Sequence, residues 1–154
     1  MLARRTSTLI AAVFSLGLLA GCEKPVPEVG ALASGDFHLA HASLWCFEGQ
    51  AYLNVGDCRE DKQQPTRVRV RPGAPVAIEV PRDVKERGWF VRVVDGRNEV
   101  AAGPIQKDKS HFTLSADFQQ RNTMNIQVVA LPQGAGKGET SGFWEFALVN
   151  ADAS

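Results

Sequence analysis

Three histidines, His38, His41 and His111, are the only imidazoles in the 154-residue chain, and two of them fall with Asp36 inside the run DFHLAH. A nucleophilic hydrolase needs such a base beside a serine, threonine or cysteine, with a third group to orient it. Ser43 and Ser110 are near the histidines in sequence, yet neither sits in a nucleophile turn. As metal ligands, Asp36 and His38 share a face if the run is a strand, whereas His41 comes three positions later and points away. Only a bend or bulge would bring all three together. The plainer reading is a set of exposed polar residues on a first, edge-like strand, so no metal or other cofactor is expected. Glycan cleavage needs two carboxylates across a cleft. Asp57, Glu60, Asp61, Asp95, Glu99 and Asp108 all fall near expected loops, as acidic residues do in most soluble chains. No catalytic residue stands out, and the chain is not expected to be an enzyme.

The three cysteines divide into one and two. Cys22 closes the sequence Leu19-Ala20-Gly21-Cys22, which resembles the bacterial lipobox. It follows a positive start, MLARRTST, and an apolar run of 12 residues at 9–20 broken only by Ser15. That run is too short to span a bilayer comfortably and has the proportions of a signal peptide. The lipobox implies that the Cys22 thiol becomes a thioether to diacylglycerol and that residues 1–21 are then removed. A chain so anchored rests on the extracytoplasmic face of the cytoplasmic membrane, an oxidising side. There Cys46 and Cys58 are expected to pair. Their 11-residue loop is worth about 3 kcal/mol as a closed ring. Residues 22–34, with Pro25 and Pro27, read as an extended linker of up to roughly 35 Å.

The elements that carry these residues read as strands. Val68 and Val70 alternate with Arg67, Arg69 and Arg71, a period of two. Pro72-Gly73 turns the chain, and Val76, Ile78 and Val80 follow as an inward set. RDVKERG is long enough for one helical turn. Further strands are expected at WFVRVVD, Glu99–Ala102, His111–Leu114, Met124–Leu131 and Phe143–Val149, where Trp144, Phe146 and Leu148 share a face. The glycine-rich stretch from Leu131 to Gly142 reads as a mobile loop, without the spacing or context of a phosphate-binding loop. Seven or eight short strands, each with one apolar face, predict an all-β antiparallel sandwich over residues 35–150 with a flexible tail at 151–154.

Two surface features remain. Arg67, Arg69 and Arg71 form a basic stripe whose repulsion must be answered, either by carboxylates such as Glu79 or Glu145 or by an anionic partner: lipid headgroups, an acidic wall polymer or a protein face. Trp89, next to the helical turn, either belongs to the core or lines a pocket or interface. Trp45, beside Cys46, is expected against the disulfide. Overall the chain has 17 basic and 17 acidic side chains, and without Arg4 and Arg5 the balance turns slightly acidic. That excludes the clearly basic character of a nucleic-acid binder.

The run DCREDKQQPTRVRVRPGAPVAIEVPRDVKERGWFVRVVD, with Cys46 before it and Gly142-Phe143-Trp144 to Leu148 after it, resembles a family of small actinobacterial lipoproteins that carry a domain of unknown function. The resemblance implies an immunoglobulin-like sandwich in the cell envelope and brings no catalytic residues. The function expected is a lipid-anchored, non-enzymatic module that binds an envelope protein or organises a complex. The alternatives are a carrier for an envelope lipid or glycan, which needs an apolar pocket between the sheets or beside Trp89, and a metal-binding envelope protein.

Overall fold

A computed structural model describes residues 24–49, 51–52, 58–134 and 138–153. The targeting segment, Cys22 and Asp57 lie outside the described residues. In chain order the strands are β1 (Val29–Ala33), β2 (Asp36–Ala40), β3 (Ala42–Cys46), β4 (Cys58–Glu60), β5 (Thr66–Val70), β6 (Pro75–Glu79), β7 (Trp89–Asp95), β8 (Asn98–Ala102), β9 (His111–Ser115), β10 (Thr123–Ala130) and β11 (Gly142–Asn150). One short helix, α1 (Arg82–Arg87), joins β6 to β7.

The first two strands make a hairpin around Ser34-Gly35, both at positive φ (54° and 90°). That pair of left-handed residues matches the twist of the strands a tight hairpin must join. The hairpin corrects the expected domain boundary. Residues 29–33 are not linker: Val29, Ala31 and Ala33 are buried, and β1 also pairs with β6. The domain therefore begins before residue 35. Small inward side chains let this strand lie close over the core, and its prolines stop short of it, at Pro25 and Pro27.

Strands β2, β1, β6 and β9 form a four-stranded antiparallel sheet in that order. The second sheet runs β4-β3-β11-β10-β7-β8, with β5 also on β11. The two sheets enclose a core of Val68, Val70, Val76, Ile78, Val91, Ile126, Val128, Trp144, Phe146 and Leu148, all buried. The alternation expected for β5, β6, β10 and β11 is what the fold uses. A smaller cluster, Phe90, Val129 and Leu131, packs on the outer face of the second sheet.

One pairing departs from the antiparallel expectation. Strand β5 lies parallel to the second half of β11, from Thr66 against Phe146 to Val70 against Asn150. The first half of β11 is taken by β3, antiparallel. Cys46–Cys58 is a disulfide (S–S 2.06 Å) that joins directly opposed residues of β3 and β4. Strand β4 pairs antiparallel with β3 and therefore runs along the direction of β11. The chain continues from β4 in that direction, steps past the end of β3, and meets β11 running the same way.

Where β3, β11, α1 and the N-terminal segment converge, four groups stack. The Arg87 guanidinium lies 3.8 Å above the Trp45 ring. Trp45 meets Trp144 at a centroid distance of 5.6 Å, tilted by 52°. The Trp144 indole N–H then donates to the Pro27 carbonyl at 2.8 Å. Trp45 is thus paired with a second indole. The ends of the glycine-rich loop are also packed: Leu131 and Ser141 are buried, and the Ser141 hydroxyl donates to the Leu131 carbonyl at 2.8 Å. That corrects the reading of the whole stretch as mobile; residues 135–137 lie outside the described residues.

Gly142 makes room for this stack. A Cβ there would stand 2.6 Å from Trp45 Cε3 and 3.0 Å from the Leu44 carbonyl oxygen. Gly142→Ala is expected to lower stability by about 2–3 kcal/mol, the overpacking range, with the loss read from the urea midpoint of the oxidised protein.

Candidate functional site

The residues with catalytic or ligating potential are dispersed. His38 is half-exposed on β2, and His111 is exposed at the start of β9. His41, just past β2, places Nδ1 2.8 Å from Glu28 Oε1. Asp36 is exposed at the far end of β2. Strand geometry keeps His41 away from the other two, and among the described residues no three His, Cys, Asp or Glu side chains are grouped to hold a metal ion. Three of the carboxylates near loops have partners of their own. Asp95 pairs with Arg121 at 2.9 Å, Glu99 with Arg92 at 3.5 Å, and Glu60 accepts from the Tyr52 hydroxyl.

Trp89 belongs to the core. It is fully buried, and its indole N–H donates to the Lys109 carbonyl at 2.7 Å. Its backbone bridges Gln106 in both directions, so the residue closes the core where α1 delivers the chain into β7. The pocket-or-interface reading is thereby corrected to a core role. An open groove of about 590 Å³ lies elsewhere, between β7–β8 and the segment linking β9 to β10. Val93, Met124 and Phe118 form its floor, but Asp95, Asp117 and Arg121 stand on its rim. It lacks the enclosed apolar volume that a carrier of lipid needs.

The two outer faces differ in kind. On the larger sheet a polar ladder crosses five strands. The Ser43 hydroxyl donates to Glu145 Oε2 (3.1 Å), Gln127 Nε2 to Glu145 Oε1 (2.8 Å), and Arg92 Nε to Gln127 Oε1 (2.8 Å), with Glu99 beyond Arg92. Every charge in it is answered. Glu145 is therefore committed, and Glu79 belongs to the other sheet. Arg67, Arg69 and Arg71 stand exposed beside this ladder. Among the described residues their guanidinium groups make no ion pair or hydrogen bond. Among the described residues, neither Glu79 nor Glu145 answers the basic stripe.

The smaller sheet presents the opposite character. Leu32, Phe37 and Leu39 point outward and remain 46%, 54% and 50% exposed. Leu32 and Phe37 are register partners, as are Gly30 and Leu39. A Cβ on Gly30 would run into the Phe37 ring, so the missing side chain lets that ring lie flat across the strand. Ala77 and Thr113 extend the same row on β6 and β9. Isolated exposed apolar residues are ordinary, but a contiguous group on one sheet face marks a contact surface.

Arg87 is a cation drawn inward. It donates to the carbonyls of Cys46 (2.7 Å) and Phe47 (2.9 Å) and covers Trp45. Burial pulls its pKa below the ordinary arginine value, with Asp83 opposing; a guanidinium stays charged regardless. Its task is to pin the helix to the cystine-closed loop. Sequence reasoning missed both Arg87 and the Leu32–Phe37–Leu39 face. The signal for the second was present in VGALASGDFHLA, two alternating runs around Ser-Gly.

The chain matches no family model, no curated protein and no solved structure.

Replacing Arg87 by Met keeps an unbranched stem over Trp45 but removes the donors to two carbonyls. A loss of about 2 kcal/mol is expected. Lysine, without the planar fork, recovers only part of it. Equilibrium urea unfolding of the three proteins orders them Arg, Lys, Met; a Met variant as stable as the parent removes this role.

Proposed function

We propose that the chain is a lipid-anchored, non-enzymatic docking module of the cell envelope, delivered by residues 1–21 and held by lipid on Cys22 at the outer face of the cytoplasmic membrane. One observation carries the docking half of this reading: a closed core beneath an exposed apolar sheet face at Leu32, Phe37 and Leu39. A protein built to enclose a ligand keeps its apolar surface inside, whereas this one turns part of it out. The anchoring half rests on the lipobox-like Leu19-Ala20-Gly21-Cys22. The disulfide agrees with an oxidising compartment.

The likeness to small actinobacterial lipoproteins points the same way. The sandwich is immunoglobulin-like in this reading, as two layers that present rigid faces. It differs in its cystine, which joins neighbours within one sheet rather than crossing between sheets.

Mass spectrometry of the native protein, extracted from membranes with detergent, is expected to find an N-terminus at Cys22 carrying diacylglycerol. An unmodified thiol there ends the anchoring reading. Organic extraction of the same preparation is expected to release no lipid or glycan in stoichiometric amount; a stoichiometric ligand would establish the carrier alternative instead.

A further inference from the structure

The tether is shorter than its sequence suggests, and it leaves the fold in a fixed place. Val26 already packs against the core, and the Pro27 carbonyl is held by Trp144. Glu28 is paired with His41. Only Glu23, Lys24 and Pro25 separate Val26 from Cys22, a span of at most about 14 Å from Cα to Cα. The expected reach of some 35 Å is therefore not available. A domain attached to lipid at Cys22 has Val26, the first residue packed on its core, within about 14 Å of the anchored residue.

Beside β1 runs β2, and β2 meets β5: the Thr66 hydroxyl donates to the Leu39 carbonyl at 3.2 Å. The seam of these two strands is the edge of the sandwich. The pleat sends Leu32, Phe37 and Leu39 out on one side of it, and Arg67, Arg69 and Arg71 out on the other. A surface that approaches edge-on meets both sets.

We infer that the β2–β5 edge seats the domain on an anionic lipid surface, with Leu32, Phe37 and Leu39 entering the interface and Arg67, Arg69 and Arg71 taking headgroup phosphates. This deepens the docking reading and rests on it for the anchor. The chemistry of the two sets fits the two layers of such a surface. Apolar side chains partition into the acyl boundary, and each arginine near an anionic surface adds attraction. A protein partner is less well matched. The four-stranded face measures roughly 17 Å by 19 Å, about 300 Å², against the ~800 Å² per partner of a stable complex. A tethered domain needs no such area, because its contact is intramolecular in effect.

The eleven strands described, their core and the disulfide all lie beyond residue 23, so a chain of residues 22–154 with Cys22→Ser is expected to fold without its anchor. Its binding to phosphatidylcholine vesicles with and without phosphatidylglycerol is measured by co-sedimentation. Binding is expected to require phosphatidylglycerol and to weaken with added salt. Joint replacement of Phe37 and Leu39 by Ser is expected to weaken it at least tenfold. Replacing Arg67, Arg69 and Arg71 by Gln is expected to weaken it about 100-fold. Arg97→Gln, at the β7–β8 turn, serves as the control and should change it little. Circular dichroism and melting establish that each variant is folded. Leu39→Trp, which keeps an apolar group, should blue-shift its emission on the anionic vesicles. Equal binding by the parent, serine and glutamine proteins overturns the inference. So does an absence of vesicle binding together with dimerisation or protein capture that depends on Phe37. Because the tested chain carries no lipid, these results are independent of whether native Cys22 is modified.

Discussion

The contact between Trp45 and Trp144 is what the remainder of the structure is arranged around. Each indole belongs to a different strand of the larger sheet, and each carries a second attachment. Trp45 is roofed by Arg87, which ties α1 and the Cys46–Phe47 carbonyls to it. Trp144 reaches through its N–H to Pro27. A column of four groups therefore links helix, cystine loop, central strand and N-terminal segment. Aromatic pairs of this kind exceed their area burial by only about 0.5–1.5 kcal/mol. Their importance here is that four separate pieces of chain must be in place before any of the contacts is complete, which makes the local packing cooperative.

The same column explains a division of labour between the faces. Strand β11 supplies Trp144, Phe146 and Leu148 to the core, so its alternate residues are committed to the opposite side of the sheet. There Glu145 joins Gln127 and Arg92 in a ladder that satisfies each group in turn. On the same side Arg67 and Arg69 of β5 make no ion pair or hydrogen bond among the described residues. Strand β1 supplies only small groups inward, Ala31 and Ala33 beside Val29. With so little bulk to bury, the first hairpin places its largest side chains outward, where Gly30 gives the Phe37 ring a bed. The exposed apolar face is thus a consequence of how the hairpin is written.

How much of this the sequence disclosed depends on side-chain size. RVRVR and PVAIEV declare their faces because β-branched residues alternate with charges, and both faces are as expected. The pairing of Cys46 with Cys58 followed from parity and spacing. By contrast, VGALA contains nothing bulky except Leu32, and the prolines just before it argue for linker; a strand stabilised chiefly by backbone pairing leaves little trace in composition. The parallel run of β5 on β11 was hidden for another reason. Its direction follows from the antiparallel pairing of β4 on β3 and of β3 on β11, which places the chain leaving β4 along β11. Trp89 misled because a tryptophan beside a charged helical turn reads equally well as core or as rim, and only the Lys109 carbonyl decides between them.

The position of the N-terminal pin bears on orientation as well as distance. A domain on a 12-residue flexible leash could present any side to the lipid, and no surface feature would have privilege. Here the Pro27 carbonyl, two residues before β1, is bonded to a side chain at the centre of the core. The place at which the chain leaves the fold is therefore set by the core packing of Val26 and Trp144. Three intervening residues cannot swing a sandwich end over end. Under the anchored reading the β2–β5 edge is the one kept near the surface, so even weak contacts there act at a high effective concentration. The hydrogen bond that completes the packing of Trp144 would then also select which residues the membrane meets.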